Sequence, residues 1–283
     1  MNILVLGSKG MLGRYVSTYL NKKYTVYGTD RSHIDAATAD KDDILNQLKF
    51  QVDGEDIKID LVINCIGMIK PVIMTNPTST AIKVNSLFPH LVSEVCKEHD
   101  IKFIHVTTDC VYSGKLDNPE LGYDEDDLHD AEDVYGVTKF LGEPEDCTVI
   151  RTSIIGEEVN QSRSLIEWVK SKRNQGADGY TNHYWNGVTC LQFAKIVERM
   201  VEGNHFWTGT KHIHSNAVDK HQLLEIINKH YNLNIEINPT EGSEYCNRTM
   251  SSIYEDALKL NPETLDEQIK ELAKYSDELN AGN

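Results

Sequence analysis

Tyr135 and Lys139 stand four positions apart in "VYGVTKFLGE". On a helix, such positions share a face, so a phenol and an ammonium would meet the same neighbour. A nearby cation lowers a phenol's pKa and makes it a usable acid or base near neutral pH. Upstream, "VTTDCVYSG" sets Thr108, Asp109 and Cys110 side by side, directly after the apolar run "IKFIH". An alcohol there can donate to a carbonyl oxygen. A thiol can be a nucleophile, a metal ligand, a proton-transfer group or a small core residue. By itself the Tyr–Lys spacing also describes an ordinary surface pair, so the elements that carry these residues must decide.

Short apolar runs at 2–7, 24–30, 59–67, 101–108 and 147–153 read as strands. Their near-continuous Val and Ile content suits strands covered on both faces, as in a parallel sheet. Helical patterns at 11–22, 41–50, 77–99 and 133–143 lie between them. The alternation predicts an α/β fold, a Rossmann-like doubly wound parallel sheet. Thr108 would then end one strand and Tyr135 would ride on the following helix. After Arg151 the rhythm changes. Helices are expected at 164–173, 190–203, 219–231 and 262–279, with short strands near "TKHIHSN" and "NIEIN". The expected organisation is a dinucleotide-binding domain over 1–155 and a mainly substrate-binding lobe over 156–283, with some segments returning to the main sheet. Acidic "YDEDDLHDAED" (123–133) reads as a surface loop.

"LGSKGMLG" follows the first strand and opens the first helix. Gly7, Gly10 and Gly13 permit a tight turn and let backbone amides approach a pyrophosphate at a helix N-terminus. Asp30 ends the second strand and can accept from a ribose 2′-hydroxyl. Lys9 and Arg31 can meet a 2′-phosphate instead, or are merely solvated charges. NADPH is the expected cofactor, with NADH the alternative.

Together, "NILVLGSKGMLG", "VINCIG", "VNSLFPHLV", "TTDCVYSG", "YGVTKFLGE" and "IRTS" resemble the extended short-chain dehydrogenase/reductases. Within them the chain looks most like the dTDP-4-dehydrorhamnose reductase group, strongly over residues 1–155 and more weakly through "NGVT" and "NRTMSS". The resemblance implies a catalytic triad of Thr108, Tyr135 and Lys139. It implies a cofactor loop of Gly7, Lys9, Gly10, Met11, Leu12 and Gly13. It further implies Asn85 near the cofactor, and Cys65 and Gly67 on a turn touching the cofactor ribose, which Lys139 can also hold.

Cys110 departs from that pattern. Sugar-nucleotide dehydratases of this superfamily resemble Thr-Asp-Glu here, and a thiol is a poor substitute for that carboxylate, which argues against a dehydratase. The 4-dehydrorhamnose reductases commonly carry Tyr at this place. GDP-fucose synthase-like epimerase/reductases carry a Cys, used as an acid/base beside the 4-keto group. A ketone acidifies neighbouring C–H bonds, and a thiolate can remove such a proton. Epimerisation and a small buried residue both stay open. An epimerase needs a second acid/base, for which Glu158 and His183 are candidates by position.

"GYTNHYWNGVT" (179–189) offers Asn182 and Trp185, an amide and an aromatic face that suit a sugar or nucleobase. It reads equally as a core-packing loop. Arg248 falls where relatives place an arginine near the substrate diphosphate, with a surface role as the alternative. Lys70 lies where substrate could pass. His212 and His214 in "KHIHS" read as a structural pair, because no third metal ligand is evident nearby, and no metal is expected.

The net charge of −16, from 44 acidic and 28 basic residues, disfavours a nucleic-acid surface and anionic membranes. Six widely spaced cysteines without a CxxC pair suggest reduced thiols and a cytoplasmic location. The apolar run at the N-terminus is too short for a signal sequence, and no segment reaches a membrane span. The expected activity is NAD(P)H-dependent reduction of the C4 ketone of a dTDP- or UDP-linked 4-keto-6-deoxyhexose, with epimerisation at a neighbouring carbon as an added step. The alternatives are an epimerase holding NAD tightly and a non-catalytic dinucleotide-binding regulatory subunit. The expected partner is a nucleotide sugar, and a homodimer is the expected assembly.

Overall fold

The five strands expected in the first half of the chain lie side by side in one parallel sheet, and a sixth strand joins them from the second half. The computed structural model describes residues 1–52, 55–116, 122–158, 164–260 and 263–281. The strands are β1 (Asn2–Leu6), β2 (Thr25–Thr29), β3 (Leu61–Asn64), β4 (Lys102–Thr108), β5 (Thr148–Thr152) and β6 (Gly209–His212). Their spatial order is β6-β5-β4-β3-β1-β2, and every neighbouring pair is parallel. The order reverses between β1 and β3, so a crevice opens at the carboxyl ends of those two strands, where ligands of such sheets bind.

Alternation along β1 shows why both faces need cover. Ile3 and Val5 belong to one apolar cluster, Leu4 and Leu6 to another, and all four are 0–1% exposed. The first cluster is closed by helices α1 (Met11–Leu20) and, from the second half, Cys190–Gly203. The second is closed by α2 (Lys41–Leu48) and α3 (Phe88–Glu98). Each fully buried aliphatic side chain contributes about 1.5–3 kcal/mol, which makes the sheet a rigid platform for whatever its edge carries.

The helical pattern expected over 77–99 is three pieces. A short helix at Thr78–Ala81 passes into a π-helical turn at Ile82–Leu87 before α3 begins. The Phe88 amide donates to the Lys83 carbonyl, five residues back. Pro89 has no amide to give to the Asn85 carbonyl, which explains why the regular pattern breaks here.

In the second half, 179–189 is not a loop but three short strands: Gly176–Tyr180 pairs with Glu236–Thr240, His183–Trp185 pairs with Val218–Asp219 and Cys246–Asn247, and Val188–Thr189 pairs with Ile154–Ile155. The last helix runs Leu265–Ala281, and the start expected for it at Pro262 lies outside the described residues. Segment 123–133 carries no helix or strand, yet it is anchored. Tyr123 is buried, and Glu125 accepts from the His212 amide at 2.7 Å and the Ile253 amide at 2.9 Å. All six cysteines are free thiols. Among the described residues no helix is long and apolar enough to cross a membrane.

Candidate active site

The glycine turn sits where β1 runs into α1. Gly7 has φ +79, a left-handed conformation that a side chain would strain. A Cβ on Gly13 would stand 2.2 Å from the Gly7 carbonyl oxygen, so only glycine lets the helix close on the turn. Gly10 caps α1 with no side-chain acceptor, and the first turn of α1 holds no acidic residue. Its amides therefore face the crevice at the positive end of a ten-residue helix, an environment suited to an anion. Leu12 is buried in the core, and Met11 packs beside the position of Gly156, so at both the backbone faces the turn more readily than the side chain.

Asp30 at the end of β2 accepts from the Ser32 amide at 2.9 Å, pairs with His33 Nδ1 at 2.9 Å and is ion-paired to Lys9. The Lys9 ammonium, with the Ser32 and His33 contacts, holds this carboxylate well below its usual range. Lys9 is thus turned toward Asp30, while Arg31 stands exposed beside it.

On the other side of the crevice a helix, α4 (Val134–Phe140), is capped by Asp133, whose carboxylate accepts from the Gly136 amide at 2.9 Å. This helix delivers Tyr135 to the neighbourhood of Thr108 at the end of β4, where the alcohol acts to lower the phenol's pKa. Thr108 Oγ1 also donates to Asp109 at 3.1 Å and accepts from the Cys110 amide at 3.2 Å. One helical turn on, Lys139 is 5% exposed and its Nζ donates to the Val106 carbonyl at 2.8 Å. Burial lowers Lys139 to a pKa of about 8. The expected lowering of the Tyr135 pKa is not found: burial, reinforced by Cys110 and Asp109, pushes the phenol up. The phenol is therefore protonated at neutral pH and poised as an acid.

Asn85 lies in the π-helical turn and is 1% exposed. Its Oδ1 accepts from the Met68 amide at 2.7 Å, and its Nδ2 donates to the Met68 carbonyl at 3.0 Å and Thr138 Oγ1 at 3.2 Å. It clamps the loop after β3 to α4. A Cβ on Gly67 would lie 3.6 Å from Asn85 Oδ1 and 3.8 Å from Lys139 Nζ, so Gly67 shares this pocket with both. Cys65 opens the same loop; burial raises its thiol to about 12.

Cys110 faces the phenol. Burial and the Asp109 carboxylate push its thiol up to about 12, so the resting form is the thiol and not the thiolate considered from sequence. Lys70 marks the mouth of the site: it pairs with Asp133 at 2.7 Å and lies 5.9 Å from the Tyr135 ring centroid. Arg248 is half-buried. Its Nε donates to Tyr112 O at 2.9 Å and its Nη2 to Ser113 O at 3.0 Å, which aims the guanidinium at the Cys110 and Asp109 side.

Four expected substrate or acid/base groups make other contacts. Asn182 spends its amide on the 240–247 turn, donating to Gly242 O at 2.9 Å and accepting from the Gly242 amide at 2.8 Å. His183 Nε2 contacts Glu244 O at 2.8 Å, and Glu158 accepts from the Ser164 amide at 2.8 Å. Trp185 is buried in the core, and its ring carries an ammonium instead of a sugar: Lys220 Nζ lies 5.4 Å from the ring centroid. Lys220 was not singled out from sequence, and it shares electrostatic contact with Asp109, Cys246, Cys110 and Arg248.

Of the two histidines of "KHIHS", His212 is tied into the fold, and His214 Nδ1 lies 3.1 Å from Ser215 O. His212 Nε2 lies 2.9 Å from Arg151 Nη1, its Nδ1 lies 2.8 Å from Ser251 O, and burial lowers its pKa to about 3. Among the described residues no cluster of three potential metal ligands occurs.

Comparison with known proteins agrees with this geometry. The family model described as "RmlD substrate binding domain" matches residues 1–252. A probable low-salt glycan biosynthesis reductase, Agl14, of Haloferax volcanii is 28% identical over 185 residues, covering 60% of this chain and 60% of the relative. A dTDP-4-keto-6-deoxy-D-glucose reductase of Streptomyces niveus is 27% identical over 157 residues, covering 53% of this chain and 51% of the relative. The chain thus spans between half and two thirds of the length of these curated relatives. The crystal structure of dTDP-4-dehydrorhamnose reductase from Bacillus anthracis in complex with NADP superposes with a TM-score of 0.76 at 17% identity, over 96% of this chain and 98% of that one, and so shares the fold. With a family model spanning nearly nine tenths of its sequence, the chain belongs to the RmlD substrate binding domain family.

Proposed function

We propose that the protein is an NADPH-dependent reductase of the C4 ketone of a nucleotide-linked 4-keto-6-deoxyhexose, carried by a dTDP or UDP group. The observation that carries this reading is the gathering of Thr108, at the end of β4, with Tyr135 and Lys139, one turn apart on α4, at the carboxyl edge of the sheet. The names of the relatives support the substrate class, and the NADP-bound neighbour supports the cofactor.

The residues fit a dinucleotide. The uncapped amides of the first turn of α1 would take its pyrophosphate, and Gly7, Gly10 and Gly13 keep that cradle clear. Lys9 and Arg31 would meet a 2′-phosphate, drawing Lys9 from Asp30. Lys139, with Asn85, Cys65 and Gly67 behind it, would hold the ribose. When bound, the reduced nicotinamide supplies a hydride. The chain supplies everything else. Thr108 donates to the ketone oxygen, and Tyr135 gives its phenolic proton to that oxygen as the alcohol forms. Both donors are preorganised on a rigid strand and helix, so little reorganisation is needed at the reacting centre. Lys70 and Arg248 would orient the substrate, with Arg248 on its diphosphate. Cys110 would serve epimerisation at a carbon next to the ketone.

The proposal also divides the chain near residue 155 into a cofactor-binding part and a substrate-binding part, and places it in the cytoplasm. A homodimer would cover the exposed apolar Leu87, Val137, Phe140 and Leu141 on adjoining helices; sedimentation equilibrium tests this. The functional reading is tested by supplying NADPH and dTDP-4-keto-6-deoxy-D-glucose. Stoichiometric NADPH oxidation supports the reductase. Sugar inversion without net oxidation favours a tightly held NAD and an epimerase. NADPH binding with no turnover of dTDP- or UDP-linked ketones favours a regulatory subunit.

A further inference from the structure

The acidic segment 123–133 is tied to the site through one imidazole. Arg151 on β5 is 2% exposed, and its five guanidinium N–H groups are matched by five acceptor contacts. Nε and Nη2 donate to Glu143 at 3.1 and 2.5 Å. Nη1 donates to the Tyr112 hydroxyl at 2.7 Å and to His212 Nε2 at 2.9 Å, and Nη2 donates to His129 Nε2 at 2.8 Å. A guanidinium cannot accept, so both imidazoles carry their proton on Nδ1 and are neutral. The His129 ring stacks on Phe140 of α4, with centroids 3.8 Å apart, and runs nearly parallel to the Tyr112 ring.

From His129 onward the chain spends its polar groups on the site. Asp130 accepts from the Ser113 amide at 2.6 Å and the Ser113 hydroxyl at 2.5 Å. The Ser113 carbonyl in turn accepts from Arg248 Nη2 at 3.0 Å. The Ala131 amide donates to Val111 O at 3.1 Å, and Asp133 caps α4 and pairs with Lys70. Residues 129–133 are thus a strap that runs from Arg151 to the perch of Arg248 and the first turn of the Tyr135 helix.

We propose that His129 is a positioning residue: as a neutral acceptor from Arg151 it fixes the strap that seats Arg248 on the substrate diphosphate, and protonation of its ring releases that strap. This rests on the reductase reading above, which puts a diphosphate on Arg248. A proton on Nε2 would set a donor against a donor and a second cation against the guanidinium. The charged groups facing His129 are Arg151 of β5 and the carboxylates of Glu143 and Asp130, with neutral Tyr112 and, across the guanidinium, His212 of β6. Burial and then Arg151 lower the His129 pKa from its ordinary 6.5, against the two carboxylates, so the ring is neutral at neutral pH and the step falls on the acid side. His212 lies deeper and is held to about 3, so the first step belongs to His129.

The test measures binding of dTDP-glucose and UDP-glucose by calorimetry with NADPH present. Both are diphosphate diesters, so their own charge stays constant. Wild-type affinity is expected to fall about tenfold from about pH 7.5 to about pH 5.5. His129→Gln keeps a neutral acceptor for Arg151 and should hold its affinity within about twofold over that range. His129→Phe keeps the ring stack without the acceptor and should bind about tenfold more weakly at both values, with NADPH affinity retained. Hydrogen exchange at the Ala131 and Gly136 amides reads the strap without ligand: protection should drop in acid for wild type and stay for His129→Gln. If His129→Phe does not fold, the comparison of wild type with His129→Gln decides alone. Equal acid loss of binding in those two proteins, or undiminished binding by His129→Phe at neutral pH, would overturn the proposal and leave the reductase standing. Acid-sensitive exchange with neither sugar nucleotide bound at any pH would sustain the strap and sink the nucleotide-sugar reading.

Discussion

The Nζ of Lys139 donates to the carbonyl oxygen of Val106 at 2.8 Å, two residues before Thr108. The ammonium is thereby locked to the strand that ends in the site, in a setting too dry for a charge. With a pKa near 8 in the fold against 10.5 when exposed, this group is protonated more readily in the unfolded chain between those values. Its contribution to stability therefore rises with pH across that window. Below pH 8 its burial costs about 3 kcal/mol. Lys139→Met should stabilise the protein at pH 7, and that gain should shrink as pH rises from 8 toward 10. Denaturant melts of both proteins across this range check it.

Tyr135→Phe removes the proton donor while keeping the ring. A positioned general acid contributes about 100- to 10,000-fold, so kcat for ketone reduction should fall by at least 100-fold. NADPH affinity should stay within about threefold, read by fluorescence titration.

Asn85→Ala strands the amide and carbonyl of Met68 in a buried place. Each unsatisfied buried group costs about 1–3 kcal/mol, so a loss of about 3 kcal/mol is expected by urea denaturation. Because Asn85 ties the loop after β3 to α4, KM for NADPH should rise as well.

The glycines of the turn should not be equivalent. Gly13→Ala sets a methyl 2.2 Å from the Gly7 carbonyl and should cost about 2 kcal/mol, whereas on Gly10 the same contact is 3.3 Å and calls for only a slight shift. Calorimetry of the two variants should give distinct melting temperatures, with Gly13→Ala the lower.

Glu143→Ala exposes the importance of a network that sequence does not show. Glu143 pairs with Arg151 at 2.5 Å, both nearly excluded from water. Removing one partner from such a pair costs about 3–5 kcal/mol. A fall of that size in chemical denaturation, with retained activity at low temperature, is the expected result.

Much of this was legible before folding. The period of the apolar runs made the parallel sheet legible because β1, β3, β4 and β5 are buried along nearly their whole length, and the glycine spacing located the crevice because no side chain fits at Gly13. Tyr135, Lys139 and Thr108 were legible because they are tied to element ends. The second half was harder. Asn182 and Trp185 have side chains suited to a sugar, but cross-strand pairing turned one to Gly242 and the other into the core. Lys220 gave no signal: its place over the Trp185 ring is created by the packing of distant segments, and at a helix start it looks like a solvated charge. The π-helical turn around Asn85 was equally hidden, since Pro89 reads as an ordinary first-turn residue of α3.

The most direct test of the central claim supplies NADPH carrying deuterium at C4 of the nicotinamide, together with dTDP-4-keto-6-deoxy-D-glucose. The expected result is deuterium at C4 of the sugar product with wild type, and a loss of that transfer of at least about 100-fold with Tyr135→Phe. Bound, intact NADPH with no label reaching the sugar, or equal transfer by both proteins, would contradict the account.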